Sequence, residues 1–160
     1  MSTEIFTTGG TIDKIYFDAL SEFSVGETKI GDILSEANVG FEYQVTRLLK
    51  KDSLELTDED RHLIYKAVSN SAATHILITH GTDTMIQTAK RLMDIADKVI
   101  VLTGAMQPAS LRSTDAVFNI GYALGALQHL PTGVHIAMNG QVFDPMSSVK
   151  DRAAQTFKVG

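Results

Sequence analysis

The chain has 160 residues, 44% of them apolar and 21% charged, which is room for one domain with a real core and unlike a disordered composition. Its net charge of −5 comes with no long basic run, so nucleic acid and anionic membranes are not expected partners. It has no cysteine, which excludes disulfides, thiolate nucleophiles and Cys-ligated metals.

No apolar run approaches the ~20 residues of a membrane span. The N-terminal residues lack a basic stretch followed by a long apolar one, so a soluble cytoplasmic protein is expected. Glu4-Ile5-Phe6-Thr7 reads as a short strand and runs into Thr8-Gly9-Gly10-Thr11-Ile12. The glycine pair predicts a tight turn or a close backbone approach. Neither a G-x-G-x-x-G fingerprint nor a Walker loop is present. Residues 13–26 lack sustained periodicity and hold Tyr16, Phe17 and Phe23, so a functional loop is expected. Ile30, Ile33, Leu34 and Ala37 mark a helix face, and Phe41 to Thr46 alternates like a strand with one wet face. A polar loop is expected over residues 50–56.

Thr57-Asp58-Glu59-Asp60 resembles a capping box, with Leu63, Ile64, Ala67 and Val68 on the buried face of its helix. His75 to Ile78 is a buried strand that ends in Thr79-His80-Gly81-Thr82-Asp83-Thr84-Met85. Asp83 can cap the helix that follows, whose inner face is expected at Ile86, Ala89, Leu92, Met93 and Ala96. Val99 to Leu102 is another buried strand, ending in Thr103-Gly104-Ala105-Met106. A helix starting near Ser113-Thr114-Asp115 turns Val117, Ile120, Leu124 and Leu127 inward, with Gly121 and Gly125 suggesting close helix–sheet packing. Val134 to Met138 is the next strand, and Asn139-Gly140 is a type I′ hairpin signal with Gln141-Val142-Phe143 returning.

Strand and helix alternate, which predicts a doubly wound, mainly parallel α/β sheet with helices on both faces, a flavodoxin- or Rossmann-like three-layer arrangement. The ligand crevice of such a sheet lies beyond the strands' C-terminal ends. Three of those ends carry Gly, Thr or both: Gly9-Gly10-Thr11, Gly81-Thr82-Asp83 and Gly104-Ala105.

A threonine hydroxyl is a poor nucleophile until something takes its proton. Neither Thr11 nor Thr82 has a His or Lys beside it, so a base must arrive through folding; Lys150 is a candidate for Thr82. The five histidines do not cluster and show no H-x-x-x-H spacing, so no zinc site is expected. His80 alone falls in the crevice, and a structural role is expected for it.

Taken in order, Thr8-Gly9-Gly10-Thr11-Ile12, Asp52-Ser53, Thr79-His80-Gly81-Thr82-Asp83-Thr84-Met85 and Thr103-Gly104-Ala105-Met106 resemble the bacterial-type L-asparaginase family, from the first strand to Thr156-Phe157-Lys158. The resemblance implies an amidohydrolase that converts asparagine, and more weakly glutamine, to the acid and ammonia without metal or cofactor. It implies Thr11 as the first threonine and Thr82, Asp83 and Lys150 as a second catalytic set. Ser53 matches the serine that holds the substrate α-carboxylate, Asp83 the partner of the α-ammonium, and Ala105 the carbonyl beside the side-chain amide. Gly10, Leu54 and Gly81 complete the expected substrate contacts. It also implies homodimers or homotetramers.

Three features depart from the family pattern. Residues 1–160 match the N-terminal α/β domain, so a single-domain form without the second, C-terminal domain is expected. Phe23-Ser24-Val25-Gly26 carries Phe where long members carry Tyr, and Tyr16 is expected to supply the hydroxyl near Thr11. Leu54 and Glu55 replace the polar-then-Asp pair usual after the serine. Competing expectations are an ammonia-producing amidase component of a larger complex, a catalytically silent amino-acid-binding module, and a fragment of a full-length enzyme.

Overall fold

The computed structural model describes residues 2–17 and 22–160. Strand β1 (Ser2–Gly9) leads into a 3-10 turn at Thr11–Asp13, then β2 (Lys14–Phe17) and β3 (Glu22–Val25). Helix α1 (Ile30–Glu36), β4 (Glu42–Lys51), α2 (Asp58–Asn70), β5 (His75–Thr79), α3 (Met85–Arg91) and β6 (Val99–Thr103) follow. Helix α4 (Ala116–His129), β7 (Gly133–Met138), β8 (Gln141–Phe143), β9 (Ser148–Asp151) and β10 (Thr156–Val159) complete the order.

The central sheet runs β4-β1-β5-β6-β7-β8. Its first five strands are parallel and β8 is an antiparallel edge. The expected doubly wound sheet is therefore present. Chain order along the sheet reverses between β1 and β5: β4 lies on one side of β1, and β5, β6 and β7 extend on the other. That is the topological switch point, where open α/β sheets form a ligand crevice.

Both sheet faces are covered. Ile64 and Val68 of α2, with Met85, Ala89 and Leu92 at α3, pack with Phe6, Ile76, Ile78 and Leu102 on one face. Ile30 and Leu34 of α1 and Ile120, Ala123, Leu124 and Leu127 of α4 pack with Ile5, Leu77 and Val101 on the other. Residues on β5 and β6 alternate between the two clusters because successive strand side chains point to opposite faces. Each fully buried Ile or Leu contributes about 2 kcal/mol of transfer free energy.

The Thr57 capping box forms: Asp60 N donates to Thr57 Oγ1 at 3.2 Å and Thr57 N to Asp60 Oδ2 at 2.9 Å. The hairpin at Asn139-Gly140 has positive φ at both residues, 51° and 83°, as a type I′ turn requires. Among the described residues no helix is long and apolar enough to cross a membrane.

Several expectations need correction. The stretch after Asp13 is an antiparallel hairpin of β2 and β3 pairing Tyr16 with Phe23; residues 18–21 of the expected loop lie outside the described residues. Strand β4 continues to Lys51, so the polar loop starts later than expected. Helix α2 buries Arg61, Ile64 and Val68 while Leu63 is exposed. Helix α3 ends at Arg91, so Met93 and Ala96 are exposed and Ile95 takes the inward place. Ala37 lies just past α1 and is exposed. On α4, Val117 is exposed, and a Cβ at Gly121 or Gly125 would meet nothing; these glycines face away from the sheet.

Candidate active site

Three chain segments meet closely at the switch point. A Cβ added to Gly10 would lie 2.4 Å from the Gly81 Cα, and one added to Gly81 would lie 2.5 Å from the Ser53 Cβ. The end of β1 is thus stacked backbone on backbone against the end of β5, which packs in turn on the Ser53 side chain after β4. Gly10 also has φ +86° and donates its N–H to Lys51 O at 2.9 Å. Any side chain at Gly10 or Gly81 would push the strand ends apart. This stacking sets Thr11, Ser53 and Thr82 on adjacent segments.

Thr82 is 7% exposed. Lys150 Nζ donates to Thr82 Oγ1 at 2.7 Å and to Asp83 Oδ1 at 2.7 Å. The ammonium therefore bridges a hydroxyl and a carboxylate that are neighbours in sequence. Lys150 reaches them from the β9–β10 hairpin, where it pairs in register with Phe157. Directly opposed residues on paired strands share a face, so Phe157 points to the core while anchoring the strand that presents Lys150. Its ring lies 5.9 Å from that of Phe143 and it is 5% exposed.

Asp83 does not cap α3, contrary to expectation. The N-cap position is Thr84, without a side-chain cap bond. The Asp83 carboxylate turns outward to Lys150 and, at 3.3 Å, to Arg152 Nε. Thr84 instead donates its hydroxyl to Ser53 O at 2.8 Å, pinning the turn after β4 to the turn after β5. Ser53 is 2% exposed. Asp52 accepts from Leu54 N at 3.1 Å and pairs with Lys14 at 3.0 Å, whereas the Leu54 side chain is largely exposed.

Thr11 opens the 3-10 turn and is partly exposed. Among the described residues its hydroxyl makes no hydrogen bond, and neither does the Tyr16 hydroxyl. Tyr16 lies half exposed on β2, with its ring 5.3 Å from that of Phe23. The two groups are not bonded to each other here.

Two buried ionisable groups lie close in sequence to these turns. Asp13 is pushed up to about 7 by burial, against a hydrogen bond to Thr28 and with some help from Glu27. His80 is fully buried and pushed down to about 4 by burial. Its Nδ1 lies 2.6 Å from Gly81 O and its Nε2 2.7 Å from Thr88 Oγ1. A carbonyl only accepts, so Nδ1 carries the proton and Nε2 accepts from Thr88. Both ring nitrogens are used in holding the turn to α3, the structural role expected for this histidine.

The family described as "Asparaginase, N-terminal" matches residues 3–158. This chain belongs to that asparaginase family. The probable periplasmic L-asparaginase of Haemophilus influenzae is 30% identical over 171 residues, covering 96% of this chain and 48% of the relative. The glutaminase-asparaginase of Pseudomonas fluorescens biotype A is 26% identical, covering 86% of this chain and 42% of the relative. Among solved structures, the thermostable L-asparaginase from Thermococcus kodakarensis superposes with a TM-score of 0.83 at 26% identity, covering 99% of this chain and 51% of that one. The chain spans about half the length of the relatives it matches.

Against that family background, the roles of three residues escaped the sequence reading. Arg152 opens the turn that follows β9 and reaches Asp83 from there. Thr84 ties the two turns together. Asp115 sits beyond β6 and accepts from Met106 N and Gln107 N at 3.0 Å each, and from Asn119 and Asn139 at 3.0 Å each. It holds in place the segment carrying Ala105, which is 1% exposed. Asp115 was visible as a helix start and Thr84 as part of the motif after β5, but the contacts of neither could be read from the sequence.

The cluster holds two threonine hydroxyls on adjacent strand ends, a lysine in contact with one of them and with a carboxylate, and closely stacked turns.

Proposed function

We propose that this chain hydrolyses the side-chain amide of L-asparagine to L-aspartate and ammonia, accepting glutamine more weakly. The observation that carries the reading is the Lys150 ammonium in contact with both Thr82 and Asp83, beside the Gly10–Gly81 contact. Thr11 Oγ1 attacks the amide carbon as its proton passes through the Tyr16 hydroxyl to the amide nitrogen; the C–N bond breaks, ammonia leaves, and water then cleaves the Thr11 ester to give aspartate. Thr82 and Lys150 handle the proton on the other side of the amide. To accept a proton Lys150 must first be uncharged, so it gives one up before or as the substrate binds.

Asp83 pairs with the α-ammonium, Ser53 and the Gly81-Thr82 turn bind the α-carboxylate, and the Ala105 carbonyl accepts from the substrate amide. Gly10 lets the first turn approach closely, and Leu54 borders the α-amino end. Residues 1–160 act as one domain in this reading, in a cytoplasmic homodimer or homotetramer. Support for the substrate comes from relatives named for asparagine and glutamine hydrolysis.

The test is ammonia release from asparagine by the purified chain, with size by light scattering. Thr11→Ala and Thr82→Ala should each lower kcat at least ~10²-fold if the hydroxyl acts in the transition state. Wild-type turnover in both variants would end the assignment.

A further inference from the structure

A second concave feature lies between α2 and α3, on the surface of that helical layer. It is an open cleft of about 700 Å³ lined by Asp58, Arg61, His62, Gln87, Lys90 and Arg91, a size that admits a small ligand. Three of the six residues are cationic, on a chain whose net charge is −5. The cleft is therefore locally cationic although the chain as a whole is acidic.

Arg61 is the informative residue. It is 9% exposed, and its Nε is buried without a hydrogen-bond partner among the described residues. Its Nη2 donates to the neutral Gln87 Oε1 at 3.1 Å, and its Nη1 makes a long contact of 3.5 Å to Leu56 O. Asp58, the one acid in the cleft, stands 3.7 Å from Nη1 with its side chain fully exposed. A buried guanidinium costs several kcal/mol unless a charge compensates it, and an exposed carboxylate at that distance compensates weakly.

The other cations are free or already oriented. Lys90 and Arg91 form no salt bridge among the described residues. Arg91 lies 4.2 Å over the Tyr65 ring and donates to His62 Nδ1 at 3.3 Å. His62 therefore carries its proton on Nε2, a further neutral donor. The π contact holds the Arg91 plane without using up its charge.

We propose that this cleft is a binding site for a small anion bearing a phosphate group, separate from the threonine cluster. Arg61 comes from one helix and Lys90 and Arg91 from another, so the donors approach from two sides. That suits a tetrahedral oxyanion, which takes hydrogen bonds from several directions, better than a planar carboxylate, which one guanidinium satisfies in its own plane. The bound anion supplies the charge that Arg61 lacks. Through the Arg61 contact to Leu56 O it also stiffens the segment that carries Ser53.

Titration calorimetry with pyrophosphate tests the proposal, at a fixed ionic strength of about 0.1 M balanced with chloride so that general screening is constant. Inorganic phosphate and citrate are run as parallel probes. Saturable one-to-one binding of pyrophosphate is expected, with phosphate weaker and citrate weaker still. The double variant Lys90→Gln, Arg91→Gln changes only exposed side chains and should bind at least about tenfold more weakly, since two cationic donors to the anion are lost. Absence of saturable binding up to about 10 mM, well past the millimolar range of weak sites, would overturn it. So would unchanged affinity in the double variant, or citrate binding as tightly as pyrophosphate. None of these readouts needs amidase turnover, so the outcome stands apart from the proposed reaction.

Discussion

The two threonines belong to unlike regions. Thr82 is buried, its hydroxyl is in contact with Lys150, and Lys150 is anchored through Phe157 to the core. Thr11 is partly exposed, its hydroxyl is unbonded among the described residues, and the chain after it runs into a hairpin with half-exposed Tyr16 and Phe23. The Thr82 side is organised before substrate arrives. The Thr11 side has its backbone fixed by Gly9 and Gly10 but its proton acceptor still to be brought in. One half of the site is thus tied together by hydrogen bonds and the other is more exposed.

Breaking the hydrogen-bonded half should cost most. Thr82→Ala and Lys150→Met each remove one end of the 2.7 Å contact and should lower kcat by ~10²–10⁴-fold, the usual worth of a positioned proton carrier. Their melting temperatures should stay close to wild type. On the more exposed half, Tyr16→Phe deletes one oxygen from a half-exposed ring. It should leave stability unchanged and lower kcat by about 10²-fold, at the low end of the same range. A Tyr16→Phe enzyme with normal turnover would transfer all the proton handling to the Lys150 side.

Phe157→Ala probes the anchoring of Lys150. Removing a buried phenyl ring costs about 3–5 kcal/mol, measured by denaturant unfolding, and the surviving folded protein should lose turnover because the hairpin no longer holds its register. If stability falls and kcat per folded molecule does not, Lys150 is positioned by something other than Phe157.

Asp13 gives a pH test of the turn beneath Thr11. Burial raises its carboxyl to about 7 from the ordinary 3.8, so between these values the folded protein holds a proton that the unfolded chain has released. Stability is therefore lost as pH rises from about 4 through about 7, and it levels off above that. Asp13→Asn should flatten this fall and be more stable than wild type at pH 8 by up to about 4 kcal/mol, the worth of a carboxyl raised from 3.8 to about 7. Equal stability of the two proteins at pH 8 would show that Asp13 ionises freely in the fold.

The smallest effect concerns Arg152. It is two-thirds exposed and shares Asp83 Oδ1 with Lys150, so it competes with a substrate ammonium for the same carboxylate. Exposed pairs of this type are worth ~0.2–1 kcal/mol. Arg152→Ala should lower KM for asparagine by about two- to fivefold with kcat nearly unchanged. A raised KM would instead make Arg152 part of substrate binding.

The fold was legible where local pattern and tertiary need agree. Buried strands such as Ile76 to Ile78, the Thr57 capping box and the Asn139-Gly140 turn all read directly from residue type. Helix ends and faces read less well. Periodicity carried α3 on to Ala96, yet the helix stops at Arg91 and a turn brings Ile95 inward. Gly121 and Gly125 looked like packing contacts because sequence does not reveal which side of a helix meets the sheet. Around the site, motif residues near strand ends were visible. The roles of Asp115, Thr84 and the buried Arg61 were not, because their partners are backbone groups or distant side chains brought together by folding.

The most direct test of the divided site is Lys150→Met, because the lysine is the long-range contact that completes the hydrogen-bonded half. Ammonia release from asparagine should fall at least ~10²-fold while circular dichroism and melting temperature remain those of the wild type. Wild-type turnover from a folded Lys150→Met protein would contradict the account.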